Sequence, residues 1–171
     1  MEKKRIIICG DRFYSNYRRI EAALREEREL IELAINGGAK GADTLADSAC
    51  RLLRIPRDRM DAKWREEGLG AGPIRNIRMK VKLLEFPGIK EVWAFHDHFE
   101  KSKGTKNMVD LALQARVEVR LYSGEGPGWT TPYQSGKMVL CQFCGGEKLL
   151  PRQLAFKIRC KADFHAPTSG G

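Results

Sequence analysis

The chain has no apolar run approaching the roughly 20 residues that span a bilayer, and it has no internal repeat or low-complexity tract. The basic residues 1–5 are followed by only a handful of apolar residues before Gly10, which does not fit a secretory leader. We therefore expect a soluble, cytoplasmic protein without a membrane partner.

A disulfide framework is lacking, because the cysteines are odd in number and unevenly placed. Five cysteines in 171 residues form neither the even number nor the regular spacing of a disulfide framework. Cys9 and Cys50 stand among apolar neighbours, so we predict that they are small core side chains. The remaining three lie near the C-terminus and need a separate explanation.

A concentrated basic stripe is also missing. Lys and Arg number 31 against 22 Asp and Glu, a net charge of +9, but residues of opposite charge are interleaved, as at positions 25–29. Such interleaving is typical of solvated helix faces, although the excess can attract polyanionic ligands. Single-stranded DNA binding is therefore a disfavoured alternative, and nucleic acid is not the favoured partner.

Apolar runs and helical spacings alternate along most of the chain. Strands are predicted at 5–10, 30–36, 91–96 and 117–122, with a short edge strand within 55–62, and helices are predicted from Asn16, from about Gly41, from Ala71 and over 104–115. The third of these helices is marked by Ile74, Ile77, Val81 and Leu84. The pattern predicts an α/β fold, a Rossmann-like parallel sheet with helices on both faces.

Composition changes after the last predicted strand. We predict a domain at 1–123, a Gly- and Pro-containing linker at 124–136 and a small segment at 137–171. Cys141 and Cys144 have the spacing of a zinc knuckle, and Cys160 and His165 complete four candidate ligands of a structural, zinc-ribbon-like site. Free cysteines in a C-terminal extension are the alternative.

Three candidate ligand loops follow predicted strands, where open α/β sheets bind ligands. Helix-borne Arg75 and Asn76 join them, and the loop residues are Gly10, Asp11 and Arg12, then Gly37, Gly38, Lys40, Gly41 and Asp43, then His96, Gly104 and Thr105. Asp43 can cap a helix or bind ribose hydroxyls. Phe13 can stack on a base or pack in the core, and Asp97 between His96 and His98 can bind metal, transfer protons or end the strand.

Four ordered motifs carry a family resemblance: residues 6–12, 35–43, 71–79 and 104–109. Together they resemble the YspA-type branch of the SLOG superfamily. The resemblance implies a Rossmann-like fold, a nucleotide or nucleotide-derived ligand and a homodimer. Function then ranges from catalysis to sensing in phage-related or antiviral signalling.

The resemblance also extends to the lonely-guy phosphoribohydrolases, which use a helix-borne arginine and a glutamate three residues after a Gly-Thr pair. Arg75 is the counterpart of that arginine, but position 108 is Met and the nearest acid is Asp110. Asp97, Asp43 or Asp11 are the other candidates for the missing acid. We therefore expect a protein that senses or sequesters a nucleotide. Cleavage of the N-glycosidic bond of a nucleoside 5′-monophosphate is the alternative.

Overall fold

The structure, a computed structural model, describes residues 2–124, residue 129 and two short strands at 138–140 and 147–149. The chain divides into two units, Met1–Trp129 and Thr130–Gly171. The first unit contains, in chain order, β1 (Lys4–Gly10), α1 (Tyr17–Glu26), β2 (Ile31–Asn36), α2 (Ala42–Leu53), β3 (Arg57–Arg59), α3 (Trp64–Glu67), α4 (Ala71–Leu84), β4 (Ile89–Phe95), α5 (Gly104–Gln114) and β5 (Glu118–Tyr122).

The five strands form one sheet in the order β3-β2-β1-β4-β5, and every neighbouring pair is parallel. Strands are added outward from β1 to β3, and after the crossover through α4 they are added in the opposite direction. Because parallel crossovers are right-handed, this reversal places α1 and α2 on one face and α4 and α5 on the other. The predicted parallel α/β sheet is confirmed.

The core forms where β-branched residues lie on both faces of the central strand. Ile6, Ile7 and Ile8 of β1 are all buried, as expected of a strand covered by helices on two sides. Ile6 and Ile8 belong to a cluster with Ile20 and Leu24 of α1. Cys9 and Cys50 are buried free thiols, so their predicted place in the core is confirmed.

The structure differs from the sequence prediction mainly between β3 and α4. β3 has only three residues, and the short helix α3 and the 3-10 turn Gly68–Gly70 follow it without having been predicted. α4 forms as predicted, but the apolar spacing that marked it lies on its outer face. Met79 and Leu83 are the apolar side chains that it buries beyond its first residue.

The second unit is described only at two strands, β6 (Met138–Leu140) and β7 (Glu147–Leu149), which pair antiparallel with Met138 opposite Leu149. The predicted zinc ligands Cys141, Cys144, Cys160 and His165 lie outside the described residues, as does most of the predicted linker. Among the helices that the structure describes, none has the length and apolarity needed to cross a membrane.

Candidate functional site

The loop from Gly37 to Gly41 joins β2 to α2 at the carboxyl edge of the sheet. Gly38 and Gly41 have φ angles of 64° and 76°, in the left-handed region that favours glycine. A side chain on Gly41 would overlap the backbone of Asp11 and Arg12, and the Ala42 amide donates to the Asp11 carbonyl oxygen at 3.0 Å. The first two predicted loops are therefore in direct contact.

Asp43 lies beneath this loop in the first turn of α2 and is only 3% exposed. Its Oδ2 accepts hydrogen bonds from the amides of Gly37 at 2.9 Å and Ala39 at 3.4 Å. Burial raises the pKa of Asp43 to about 6, although the Arg75 guanidinium and the two amides oppose that rise. The Asp43 carboxylate thus holds the loop in place through hydrogen bonds from its buried side.

Arg75 reaches the same loop from α4. Its Nη1 donates to the Gly37 carbonyl oxygen at 2.6 Å and lies 3.9 Å from Oδ2 of Asp43. Its Nη2 and Nε donate to Oδ1 of Asn76 at 3.1 and 3.3 Å. A side chain at position 37 would overlap the guanidinium, so the end of the Arg75 side chain would have to shift.

Asn76 continues the connection toward the third predicted loop. Its buried side chain donates from Nδ2 to Oδ1 of Asn107 at 2.9 Å and, at 3.4 Å, to the Gly104 carbonyl oxygen. Neighbouring residues of α4 thereby hold two glycine-containing segments that lie far apart in sequence. We call Arg75, Asn76 and Asn107 the bridging network.

The segment after β4 is organised by its own polar groups. His96 is buried, and its Nδ1 accepts a hydrogen bond from the His98 amide at 3.0 Å. Burial lowers the pKa of His96, while Asp11 and Asp97 act in the opposite direction. Asp97 is exposed, and its Oδ1 accepts from the Gly124 amide at 2.9 Å. Across the described ranges, no three His, Cys, Asp or Glu side chains come together in a group that could hold a metal ion.

The remaining predicted residues surround these loops. Gly10 has no room for a side chain between the Phe95 carbonyl and Ala42, so its glycine serves strand and helix packing. Arg12 and Lys40 are exposed. Thr105 is buried, and its amide donates to Ser102 Oγ at 3.0 Å.

The candidate acid Asp110 does not join the bridging network in the bonds that the structure describes. It is half-buried on α5, and burial raises its pKa while Lys106 lowers it. Met108, at the position where the lonely-guy enzymes have glutamate, is 1% exposed and faces the core. A carboxylate there would be buried in apolar surroundings.

Sequence reasoning did not identify two residues of this site. Asn107 was not singled out, although it follows Gly104 by three residues and so lies in the same first turn of α5. Arg59, the last residue of β3, pairs with Asp61 at 3.0 Å, and its Nη2 donates to the Gly38 carbonyl oxygen at 3.5 Å. The signal for Arg59 was its place at the end of a strand next to β2.

The surface grooves of the protein do not coincide with this site. Two grooves of about 300 Å³ each lie at the opposite end of α1 and α2, lined by Arg28 and Arg54 among others. Neither groove includes a residue of the bridging network. We place the candidate site by its loops and polar contacts instead.

No family model, curated protein or solved structure matches this chain.

Proposed function

We propose that the carboxyl edge of the sheet binds a nucleotide or nucleotide-derived signal and holds it without cleaving it. The observation that carries the proposal is the bridging network, in which Arg75 binds the Gly37 carbonyl and Asn76 binds the Gly104 carbonyl. Two glycine-containing backbone segments are thereby fixed at one edge, the first buried at Gly37 and the second exposed at Gly104. Pre-organised backbone of this kind suits a ligand with several oxygen atoms.

Phosphate recognition follows from the helix ends at this edge. α2 begins directly after Gly41 and α5 begins at Gly104, and α2 has no side-chain cap. Helix N-termini carry partial positive charge and amides that favour phosphate. Exposed Arg12 and Lys40 add positive charge nearby. A phosphate-bearing ligand therefore fits better than a neutral one.

Base recognition is supported by Phe13, which follows β1 at the same edge. Its side chain is 89% exposed, so it contributes little to the core. Its amide donates to Oδ1 of Asp11 at 3.1 Å, which anchors the backbone that presents the ring. An anchored, exposed aromatic ring suits stacking on a nucleobase.

The hydrogen bonds of the three candidate acids at this edge favour binding of the nucleotide without cleavage. Asp11, Asp43 and Asp97 each accept a hydrogen bond from a backbone amide of their own loops or of a neighbouring strand end. Each carboxylate therefore has a structural task. Burial, with Asp43 as a further cause, raises the pKa of the Cys9 thiol, so this thiol is a poor nucleophile.

One observation favours the second candidate function, N-glycosidic cleavage of a nucleoside 5′-monophosphate. Asp43 combines burial, a pKa raised to about 6 and a neighbouring arginine, and groups perturbed in this way concentrate at catalytic sites. In this reading Asp43 would supply the acid that the Gly104-Thr105 segment lacks. The experiment below separates the two functions.

The test incubates the full chain with nucleoside 5′-monophosphates and ADP-ribose, removes free ligand, denatures the protein and identifies the released molecules by chromatography and mass spectrometry. We expect an unchanged nucleotide in about equimolar amount. Free base with ribose 5-phosphate would establish cleavage instead. A single-stranded oligonucleotide, titrated at two salt concentrations, tests the DNA alternative. Retention of none of the nucleotides would overturn the proposal.

Membership of the YspA-type branch of the SLOG superfamily is part of this proposal and is supported by the four motifs. A role in phage-related or antiviral signalling belongs to it as well. Structural zinc at Cys141, Cys144, Cys160 and His165 stays a prediction from spacing. Elemental analysis of the purified chain and of a Cys141→Ser, Cys144→Ser double variant tests it, and a metal-free wild-type chain would contradict it.

A further inference from the structure

Buried polar side chains collect at the candidate site. Elsewhere among the described residues, the buried charged side chains are Lys4 and Glu91, which bind each other at 2.8 Å. The other buried polar side chains are each at most 7% exposed and lie in or beside the loops of the candidate site: Asn36, Asp43, Asn76, His96 and Thr105. Polar side chains in such positions normally have hydrogen-bond partners for their polar atoms.

Four of these five side chains have a polar atom without a partner. Asn76 uses both ends of its amide within the bridging network. In the bonds of the described residues, no partner binds the following atoms: Nδ2 of Asn36, Oδ1 of Asp43, Nε2 of His96 and Oγ1 of Thr105. The side-chain atoms of this part of the chain that are both fully buried and unpartnered belong to Tyr14, Glu67 and Arg120 instead. The four free atoms therefore reach solvent and can meet a ligand.

Asn36 and Asp43 lie beneath the same loop. Oδ1 of Asn36 accepts a hydrogen bond from the Gly38 amide at 3.0 Å, and Oδ2 of Asp43 accepts from the amides on either side, those of Gly37 and Ala39. Three consecutive amides of the loop thus point at these two side chains and are not available to a phosphate. Because each side chain uses one polar atom to hold the loop, its other polar atom is left for the ligand.

The charge of Asp43 decides what kind of ligand group fits beneath this loop. A phosphate oxygen beside the free Oδ1 would bring like charges together, and the Arg75 guanidinium already donates to Gly37 and Asn76. Oδ1 of Asp43 therefore needs a hydrogen-bond donor, whereas Nδ2 of Asn36 needs an acceptor. A hydroxyl group can serve as either, so two neighbouring hydroxyls satisfy both side chains at once.

We propose that Asp43 and Asn36 bind the 2′- and 3′-hydroxyls of a ribose, so that the site selects ribonucleotides over deoxyribonucleotides. This inference rests on the proposed function, since it assigns one part of the bound nucleotide. One hydroxyl donates to Oδ1 of Asp43, and the other accepts from Nδ2 of Asn36. The free atoms of His96 and Thr105 can act as donors, because Nδ1 of His96 already accepts a hydrogen bond, and they remain for acceptor atoms elsewhere in the nucleotide.

The cost of a missing hydroxyl differs between the two side chains. Loss of a hydrogen bond to the charged Asp43 corresponds to about a 10- to 150-fold decrease in affinity. Loss of a hydrogen bond to the neutral Asn36 corresponds to about a 2- to 10-fold decrease. Both deoxy analogues of a nucleotide should therefore bind more weakly than the ribonucleotide, and one of them much more weakly.

The test is equilibrium dialysis of the full chain. It compares ribonucleoside 5′-monophosphates with their 2′-deoxy and 3′-deoxy analogues, and ADP-ribose with its 2′-deoxy analogue. We expect ribonucleoside 5′-monophosphates to bind at least about 10-fold more tightly than one of their two deoxy analogues. Deoxy analogues that bind as tightly as the ribonucleotides overturn this inference and leave the proposed function standing. Binding of neither series overturns the proposed function, and this inference with it.

An Asp43→Asn variant tests the assignment of the hydroxyl. Asparagine keeps an acceptor for the Gly37 amide but replaces the charged acceptor of the hydroxyl by a neutral amide, so the preference for ribonucleotides should fall by about 10-fold. Damage to the loop would instead weaken both series together and leave their ratio unchanged. Asp47→Asn is the matched control, because Asp47 lies one turn further along α2 and pairs with Arg51 and Arg57, and it should keep the wild-type preference. An unchanged preference in Asp43→Asn, or an equal fall in Asp47→Asn, overturns the inference.

Discussion

The Nη1 atom of Arg75 donates to the carbonyl oxygen of Gly37 at 2.6 Å, across 38 residues of sequence. The contact joins the start of α4 to the residue that follows β2, and a side chain at position 37 would require the guanidinium to shift. Because the same guanidinium also binds Asn76, one side chain fixes the glycine loop and orients the residue that reaches α5. Loss of Arg75 should therefore affect both sides of the site.

Arg75→Ala tests this. We expect phosphate-dependent ligand binding to weaken by about 10- to 100-fold, the range of one hydrogen-bonded charge, and the free energy of unfolding to fall by about 1–3 kcal/mol. Arg75→Lys should recover little, because an ammonium cannot serve Gly37 and Asn76 together. Calorimetric titration and urea unfolding measure the two effects. Lys80→Ala, on the same helix, is the control, and equal losses in both variants would contradict a specific role for Arg75.

A substitution at Gly104 can separate an effect on ligand binding from an effect on folding stability. A side chain built on Gly104 meets nothing within 4 Å, and its backbone is not in the left-handed region. Gly104→Ala should therefore leave the free energy of unfolding unchanged or raise it by up to about 1 kcal/mol. A ligand that approaches this backbone closely would lose affinity in the same variant. Unaltered ligand binding would remove Gly104 from the site.

A substitution at Phe13 can likewise separate an effect on nucleobase binding from an effect on folding stability. Since the ring is 89% exposed, Phe13→Ala should leave unfolding unchanged. Loss of one stacked base is worth about 1–3 kcal/mol, or about a 5- to 150-fold decrease in nucleotide affinity. Ribose 5-phosphate, which lacks a base, should bind both proteins equally. Leu52→Ala serves as a control for the removal of exposed apolar surface, and a comparable loss of affinity there would contradict stacking by Phe13.

Most elements of the first unit were predictable because they have strong local signals, which the short helix α3 lacks. Buried β-branched runs such as Ile6 to Ile8 identify strands, and the glycines after them identify turns. The orientation of α4 was not predictable, because the helix carries apolar residues on two sides. Periodicity finds Ile77 and Val81 as readily as Met79 and Leu83, and only the packing against the sheet decides which pair is buried.

The site was predictable at its loops and not at its connections. Asp43 could be expected to bind its own loop, since its partners lie within six residues. The bond between Asn76 and Asn107 spans 31 residues and depends on how α4 packs against α5. No spacing in the sequence carries that information, because it arises from the order of strands in the sheet.

The raised pKa of Asp43 gives a pH dependence of stability with a definite sign. The folded carboxyl titrates at about 6 and its ordinary value is 3.8, so the folded state holds the proton more tightly. Stability from this group is therefore greatest below pH 4 and declines as pH rises to about 6. The difference corresponds to at most about 3 kcal/mol.

Asp43→Asn removes this titration while keeping an oxygen that accepts from the Gly37 amide. Relative to the wild type, we expect the variant to gain about 1–3 kcal/mol of unfolding free energy between pH 4 and pH 7. Urea unfolding at several pH values measures the difference. Asp61→Asn, an exposed carboxylate after β3, should show no comparable trend. A difference between Asp43→Asn and wild type that is constant with pH would contradict the shifted pKa.

Glu91 lies at the centre of a cluster of charged residues, at the opposite end of the sheet from the candidate site. Its carboxylate accepts from Lys4 Nζ at 2.8 Å, Trp93 Nε1 at 2.7 Å and Arg120 Nη2 at 3.0 Å. Lys4 and Arg120 also bind Glu27, and although burial raises the pKa of Glu27, these hydrogen bonds lower it overall. Glu27 therefore contributes stability above the pKa of its unfolded form, and that contribution is lost as pH falls through its lower folded pKa.

Glu91→Ala should cost about 3–5 kcal/mol of unfolding free energy, because it leaves the buried cation of Lys4 and the largely buried one of Arg120 with Glu27 as their remaining shared partner. Glu91→Gln keeps an acceptor for Trp93 and should cost less. Glu26→Ala, an exposed carboxylate on α1, should change stability by less than about 0.5 kcal/mol. Nucleotide binding by the folded Glu91→Gln protein should match the wild type, because the cluster lies at the other end of the strands. A binding defect without a stability defect would mean that the two ends of the sheet are coupled.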